Sequence, residues 1–235
     1  MNAIVTETPT SLRDMSAIVT GGAKGIGLGI AKELARQGCR IAIWDMDQDA
    51  LHQATEQIVE LGVEVQAFQV NVAAQDQVES AVAQLHAKWG RIDVLVNNAG
   101  IGGEKLVTKM DLDFWKRVID INLTSQFICS KAVIPGMVER NFGRIINIGS
   151  RAWLGNRGQA SYSASKGGVV SFTRSLALEF ARNGITANAV APGITETPMF
   201  ATLKDEVVDG LKKSVPMQRI GQPEDIAQAV RFFAE

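Results

Sequence analysis

At 235 residues the chain is long enough for one large domain or at most two small ones. Hydrophobic residues make up 46% and charged residues 21%, so a sizeable core can form, and a net charge of −1 leaves no basic excess to neutralise phosphates. Nucleic-acid binding is therefore not expected, nor is a disulfide framework from Cys39 and Cys129, nor a metal site from His52 and His86.

Residues 1–14 carry no amphipathic period and read as an N-terminal arm without the charged-then-apolar pattern of a leader. From residue 15 onward, short apolar runs alternate with longer amphipathic segments. The runs are 17–20, 40–44, 63–70, 92–96, 144–148 and 185–191, continuously apolar as in strands buried on both faces. Helices are expected at about 25–37, 47–61, 75–89, 111–140, 160–183 and 223–234, with a short one near 204–213. This alternation specifies a parallel sheet with right-handed crossovers, a doubly wound α/β fold with helices on both faces. One domain spans 15–235. Pro135 should kink or end the long 111–140 helix. The stretch around 194–215, with few helical signals, is expected to be a substrate lid. No run reaches the roughly 20 apolar residues of a membrane span.

Thr20-Gly21-Gly22-Ala23-Lys24-Gly25-Ile26-Gly27 follows the first strand and opens the first helix. Glycines are required where the chain turns with positive φ and where backbone must approach a pyrophosphate, and the helix N-terminus offers free N–H groups to the phosphates. Asp45 ends the second strand twenty residues beyond Gly25, placed to accept from the adenosine ribose hydroxyls of NAD and to repel the 2′-phosphate of NADP. The other reading of Asp45 is a helix N-cap. Lys24, beside the turn, could instead receive a 2′-phosphate. NAD is the expected cofactor, with NADP as the alternative.

The single tyrosine, Tyr162, stands four residues before Lys166 in Tyr162-Ser163-Ala164-Ser165-Lys166. On a helix this spacing brings an ammonium beside the phenol, where a cation favours phenolate and suits the group to acid/base work. The preceding strand ends Ile146-Asn147-Ile148-Gly149-Ser150, which sets Ser150 at the carboxyl edge of the sheet, where ligands bind in open α/β folds.

With these motifs the sequence resembles the short-chain dehydrogenase/reductase family, in its compact form of about 250 residues, from about Ala17 to the last residue. The family's glycine turn matches Thr20, Gly21, Gly25 and Gly27. Its N-N-A-G is Asn97-Asn98-Ala99-Gly100, its Y-x-x-x-K is Tyr162/Lys166, and its P-G is Pro192-Gly193. The resemblance implies a Rossmann fold of three layers, α/β/α. It implies that Tyr162 is the general acid/base and that Ser150 holds the substrate oxygen. Lys166 would lower the phenol's pKa and bond the nicotinamide ribose, and Asn122 would hold a water in the proton relay. Cofactor contacts are implied for Gly21, Lys24, Gly25, Ile26, Gly27, Asp45, Asn71, Val72, Asn98, Ala99, Gly100, Pro192, Gly193, Thr195 and Thr197, besides Tyr162 and Lys166.

Three departures from the family pattern stand out. Asn71 replaces the usual Asp before Val72, and Ser150 precedes Tyr162 by twelve residues where many members have thirteen. The family's seventh strand and glycine-rich tail would follow Glu235, and are apparently missing. The expected activity is NAD-dependent interconversion of a secondary alcohol and a ketone by hydride transfer. The alternative within the enzyme class is an NADP(H)-dependent 3-oxoacyl-thioester reductase, and outside it a non-catalytic dinucleotide-binding protein. A substrate pocket is expected from Trp153, Gln159, Met199 and Phe200. The resemblance further implies a homotetramer through the 111–134 and 160–183 helices, whose Phe127, Ile128, Val169, Phe172 and Leu176 could be buried within or between subunits. A cytoplasmic location, with neither membrane nor nucleic acid as partner, completes the expectation.

Overall fold

The computed structural model describes residues 12–197 and 205–235. Along the chain run β1 (Ser16–Thr20), α1 (Gly25–Arg36), β2 (Arg40–Asp45), α2 (Gln48–Val59), β3 (Val65–Gln69), α3 (Gln75–Trp89) and β4 (Val94–Asn97). There follow α4 (Leu112–Ile119), α5 (Ser125–Arg140), β5 (Gly143–Ile148), α6 (Ala160–Phe180), β6 (Ile185–Val190), α7 (Asp205–Ser214) and α8 (Pro223–Ala234). All pairings are parallel, in the order β3-β2-β1-β4-β5-β6. The order reverses between β1 and β4, and that switch point opens the crevice in which open α/β sheets bind ligands.

The apolar runs are continuous because successive residues serve two different cores. Ala17, Val19, Ile41 and Ile43 pack under α1, α2 and α8. Ile18, Ala42, Trp44 and Leu95 pack on the other face, under α3, α5 and α6. Each such fully buried large side chain contributes about 1.5–3 kcal/mol of transfer free energy. Trp89 and Gly90, the latter with φ +72°, end α3 with a left-handed cap.

Two sequence expectations change. Pro135 lies within α5, and the helix runs on to Arg140; the break comes earlier, as a π-turn over Asp120–Thr124 between α4 and α5. Proline's missing N–H withdraws one helical bond, whereas the π-turn inserts a residue and changes the helix phase. Leu12, assigned to the arm, is buried in the first core, and Asp14 N–H donates to the Gly38 carbonyl, so packed chain begins before residue 15. Of the residues left open between the core and a subunit interface, Ile128, Val169 and Leu176 are buried within this chain, while Phe127 is half exposed and meets Phe172 edge-on at 6.5 Å. No helix among the described residues is long and apolar enough to cross a membrane.

Candidate active site

A cleft of about 930 Å³ runs along the carboxyl edge of the sheet. Its walls bring together Gly21, Lys24, Gly25, Ile26, Gly27, Asp45, Asn71, Val72, Asn98, Ala99 and Gly100 with Ser150, Tyr162, Lys166, Pro192, Gly193, Thr195 and Thr197. Those residues come from seven separate stretches of chain, and the fold gathers all of them into one cavity.

At one end the glycine turn is held from below by Asn98. The Asn98 amide donates to the carbonyls of Thr20 and Gly21, both at 3.0 Å, while Thr20 Oγ1 accepts from the N–H groups of Asn98 and Ala99. Gly21 and Gly25 adopt φ of +60° and +51°. A Cβ on Gly27 would stand 1.9 Å from the Gly21 carbonyl oxygen. The N-cap of α1 is Lys24, whose side chain makes no cap bond, and the first turn holds no acid. Its leading N–H groups are thus left for a ligand, which is where a helix binds phosphate. The residues present fit the pyrophosphate of a dinucleotide.

Asp45 lies at the rim, half-buried. Its carboxylate accepts from the N–H groups of Ala23 (3.3 Å), Met46 (2.8 Å) and Asp47 (3.2 Å), a grip that fixes its direction and leaves acceptor capacity toward the cleft. The N-cap of α2 is Asp47, not Asp45. Asp47 also binds the Lys24 ammonium at 2.5 Å, and this partner holds the Lys24 pKa above its ordinary value. Asn71 lines the cleft with its Oδ1 already accepting from Ala73 N–H at 3.0 Å, an Asx turn before α3.

At the other end, Lys166 is almost fully buried, with its Nζ 5.7 Å from the centre of the Tyr162 ring and donating to the Ile148 carbonyl at 2.8 Å. Burial pulls its pKa down to about 8. Ser150 caps the 3-10 turn Arg151–Leu154, accepting from Ala152 N–H at 3.1 Å, which leaves its own O–H free to donate. Asn122 sits in the π-turn, wholly buried. Its amide bonds Ile101 in both directions, at 2.7 and 2.9 Å, and reaches Ser165 Oγ at 3.2 Å. A Cβ on Gly100 would lie 3.1 Å from Asn122 Oδ1 and 3.6 Å from Lys166 Nζ, so an added methyl would press on the Asn122 amide.

The expected substrate pocket is only partly assembled. Trp153 is exposed on the 3-10 turn. Gln159 is engaged elsewhere, accepting from Asn156 and donating to Glu104 at 3.1 Å, and neither residue lines the cleft. Together with the Lys105 N–H to Gly158 carbonyl bond at 2.7 Å, Gln159 ties the loop after β4 to the loop after β5. Met199 and Phe200 lie outside the described residues. Sequence reasoning did not single out Arg117 and Ile121, one turn apart on the cleft side of α4 and the π-turn, nor Trp44, Met46, Val70 and Ile148. The i, i+4 spacing of Arg117 and Ile121 was their only signal.

The profile of the family described as short chain dehydrogenase matches residues 15–207. The chain belongs to that family. A 3-oxoacyl-(acyl-carrier-protein) reductase of Synechocystis sp. is 43% identical over 227 residues, covering 96% of this chain and 91% of that protein. An NAD+-bound xylitol dehydrogenase superposes with a TM-score of 0.90 at 32% identity, covering 95% of this chain and 93% of its own. An actinorhodin polyketide ketoreductase variant with NADPH gives the same TM-score of 0.90 at 37% identity, covering 98% and 92%. This dehydrogenase is therefore a nicotinamide-dependent oxidoreductase acting between CH–OH and keto groups. Its solved neighbours hold either nucleotide, so cofactor choice has to be read from this chain's own residues.

Proposed function

We propose that this dehydrogenase interconverts a 3-hydroxyacyl thioester and the corresponding 3-oxoacyl thioester, using NAD(H). The reacting group is a secondary alcohol or ketone in either direction. One observation carries the chemistry: Ser150, Tyr162 and the buried Lys166 share a wall of the cleft whose far end is the uncapped N-terminus of α1. The 43% identical relative supports the thioester as substrate class. Asp45 supports NAD, because a carboxylate at the end of β2 accepts from ribose hydroxyls and repels a 2′-phosphate.

In this reading the nicotinamide supplies the hydride acceptor or donor when bound. Asp45 takes the adenosine ribose, and the turn at Gly21–Gly27 with the N–H groups of α1 takes the pyrophosphate. Asn71 and Val72 border the adenine, while Asn98, Ala99, Gly100 and the 192–197 loop border the remainder. Ser150, its oxygen already accepting from Ala152, donates to the substrate oxygen. Tyr162 gives that oxygen its proton during reduction and takes it during oxidation. Lys166, cationic below about pH 8, favours the phenolate that results, and bonds the nicotinamide ribose. Asn122 holds the water that connects this group to solvent, from a π-turn that frees backbone from regular helical bonding.

The test is paired fluorescence titration with NADH and NADPH, followed by turnover of a 3-oxoacyl thioester against a plain ketone of equal chain length. Tighter NADH binding and preference for the thioester are expected. Tighter NADPH binding would transfer the assignment to an NADP(H)-dependent 3-oxoacyl-thioester reductase. Preference for the plain ketone would remove the thioester from the assignment.

Assembly as a homotetramer through α4–α5 and α6 belongs to the same proposal, supported by exposed Phe127, Trp115 and Leu178 on those helices. Sedimentation of the purified chain tests it.

A further inference from the structure

Polar side chains meet in the middle of an otherwise apolar sheet. Asn97 of β4 and Asn147 of β5 are register partners, both buried, and Asn97 Nδ2 donates to Asn147 Oδ1 at 2.8 Å. Asn147 Nδ2 donates in turn to Thr173 Oγ1 of α6 at 2.9 Å, and that hydroxyl donates to the Val169 carbonyl at 2.7 Å. Asn97 Nδ2 also reaches Ser130 Oγ of α5 at 3.2 Å. The chain of bonds runs from α5 through β4 and β5 to α6, and none of its members lines the cleft.

Amides are costly to bury, and well-packed apolar side chains at these positions would be easier to accommodate. Asn97 Oδ1 even remains without a partner. Their placement explains what they do. Asn147 stands one residue before Ile148, whose carbonyl holds Lys166, and three before Ser150. Thr173 follows Lys166 by seven residues, two helical turns, and so shares its face of α6. A slip of β4 along β5 would break the Asn97–Asn147 bond, and a roll of α6 would break the Asn147–Thr173 bond. The second movement would shift Tyr162 and Lys166, which α6 carries, relative to Ser150, which follows β5.

We propose that Asn147 and Thr173 are positioning residues, which fix the roll of α6 on β5 and thereby hold Tyr162 and Lys166 on the Ser150 side of the cleft, while Asn97 pins Asn147 from β4. The proposal rests on the catalytic reading above and adds two residues remote from the cleft to it. Directional bonds between buried side chains, such as Asn147 to Thr173, specify one arrangement among packings of similar energy.

The chain's single tyrosine makes the test direct, because protein labelled with 3-fluorotyrosine has one fluorine resonance, that of Tyr162. Thr173→Val keeps the shape and removes the hydroxyl, whereas Thr173→Ser keeps the hydroxyl. In Thr173→Val the resonance is expected to shift or broaden, with NADH affinity within about threefold of the parent. Its kcat is expected to fall about tenfold or more at unchanged KM, one tenfold step being the loss of one ordinary hydrogen bond's worth of alignment. Thr173→Ser should restore both signals. A parental resonance and kcat in Thr173→Val would overturn the proposal, even if that variant melts earlier. Should Thr173→Val not accumulate as folded protein, Thr173→Ala makes the same comparison without the added methyl. If the parent turns over no substrate, the catalytic reading fails by itself, and the fluorine comparison still decides whether Tyr162 is held from Thr173.

Discussion

Lys24 and Asp47 are joined across the rim of the cleft at 2.5 Å, beside the carboxylate of Asp45. Lys24, the cation within the glycine turn, is thus paired by the loop that would have to admit a 2′-phosphate. Asp45 has its direction set by three backbone N–H groups, whereas the Lys24–Asp47 pair is exposed and screened by solvent. In the proposed NAD(H) reading, these two features would set nucleotide preference with unequal strength.

Asp47→Asn should release Lys24 without harming α2, because asparagine caps a helix as well as aspartate does. The NADPH-to-NADH affinity ratio is expected to rise about threefold to tenfold, and about tenfold to a hundredfold in Asp45→Ser, where the carboxylate itself is lost. Fluorescence titration reads both. An unchanged ratio in Asp47→Asn would mean that Lys24 does not face the ribose.

In the proposed mechanism, Tyr162→Phe removes the proton donor and little else. Turnover should drop by about 10²–10⁴, the usual contribution of a placed acid/base, while NADH binding stays within about twofold. Steady-state rates alongside the titration give both numbers, and retained turnover would withdraw the catalytic assignment of Tyr162.

Lys166 carries a pH signature in activity and in stability. Its amine is cationic below about pH 8, so a rate that needs the cation should fall as pH rises through that value. For stability, the unfolded chain keeps the proton up to the ordinary lysine range near 10.5 while the native protein has already released it. Between about 8 and 10.5 the unfolded state binds more protons, and stability rises with pH. Lys166→Met should raise the melting temperature at pH 7 by roughly 2–4 °C while abolishing turnover, with the gap closing toward pH 10.5. Calorimetry at pH 7 and pH 10 reads the difference, and a gap independent of pH would contradict the assignment of the burden to the buried charge.

Gly27→Ala forces a methyl to 1.9 Å from the Gly21 carbonyl oxygen. Displacing the turn should cost about 2–4 kcal/mol of stability and abolish dinucleotide binding. Gly167, next to Lys166 in α6, is its control: nothing lies within 4 Å of a Cβ there, and Gly167→Ala should stabilise by about 0.5–1 kcal/mol. Chemical denaturation of the two variants supplies the comparison.

Strand positions such as Ile18, Ile41 and Ile145 were legible because each lies in a run buried on both faces, where apolarity has no period to mislead. The glycine turn and Asp45 were legible from their places after β1 and β2, while Ser150 and the Tyr162–Lys166 spacing took their meaning from the family resemblance. What the residues did not disclose depends on contacts between distant segments. The π-turn inserts Asn122 into a helix whose apolar pattern reads as continuous, and α5 runs on past Pro135. Asn147 and Thr173 look like ordinary polar residues, and Asn97 like a member of its motif only, until the β4–β5 register and the roll of α6 stack them. Gln159 was expected to meet substrate, and its amide is instead taken by Glu104 of a loop 55 positions away.

That engagement couples two loops that border the cleft end. With Gly158 bonded to Lys105 and Gln159 to Glu104, the loops after β4 and β5 form a single jaw on the side of Ser150 and Tyr162. If the proposed acyl substrate displaces one loop, the two bonds would carry the other with it, and acceptance of longer chains would depend on their joint stiffness. Changes in the 101–110 segment, remote in sequence from Ser150, would then alter substrate range through the loop that Ser150 opens.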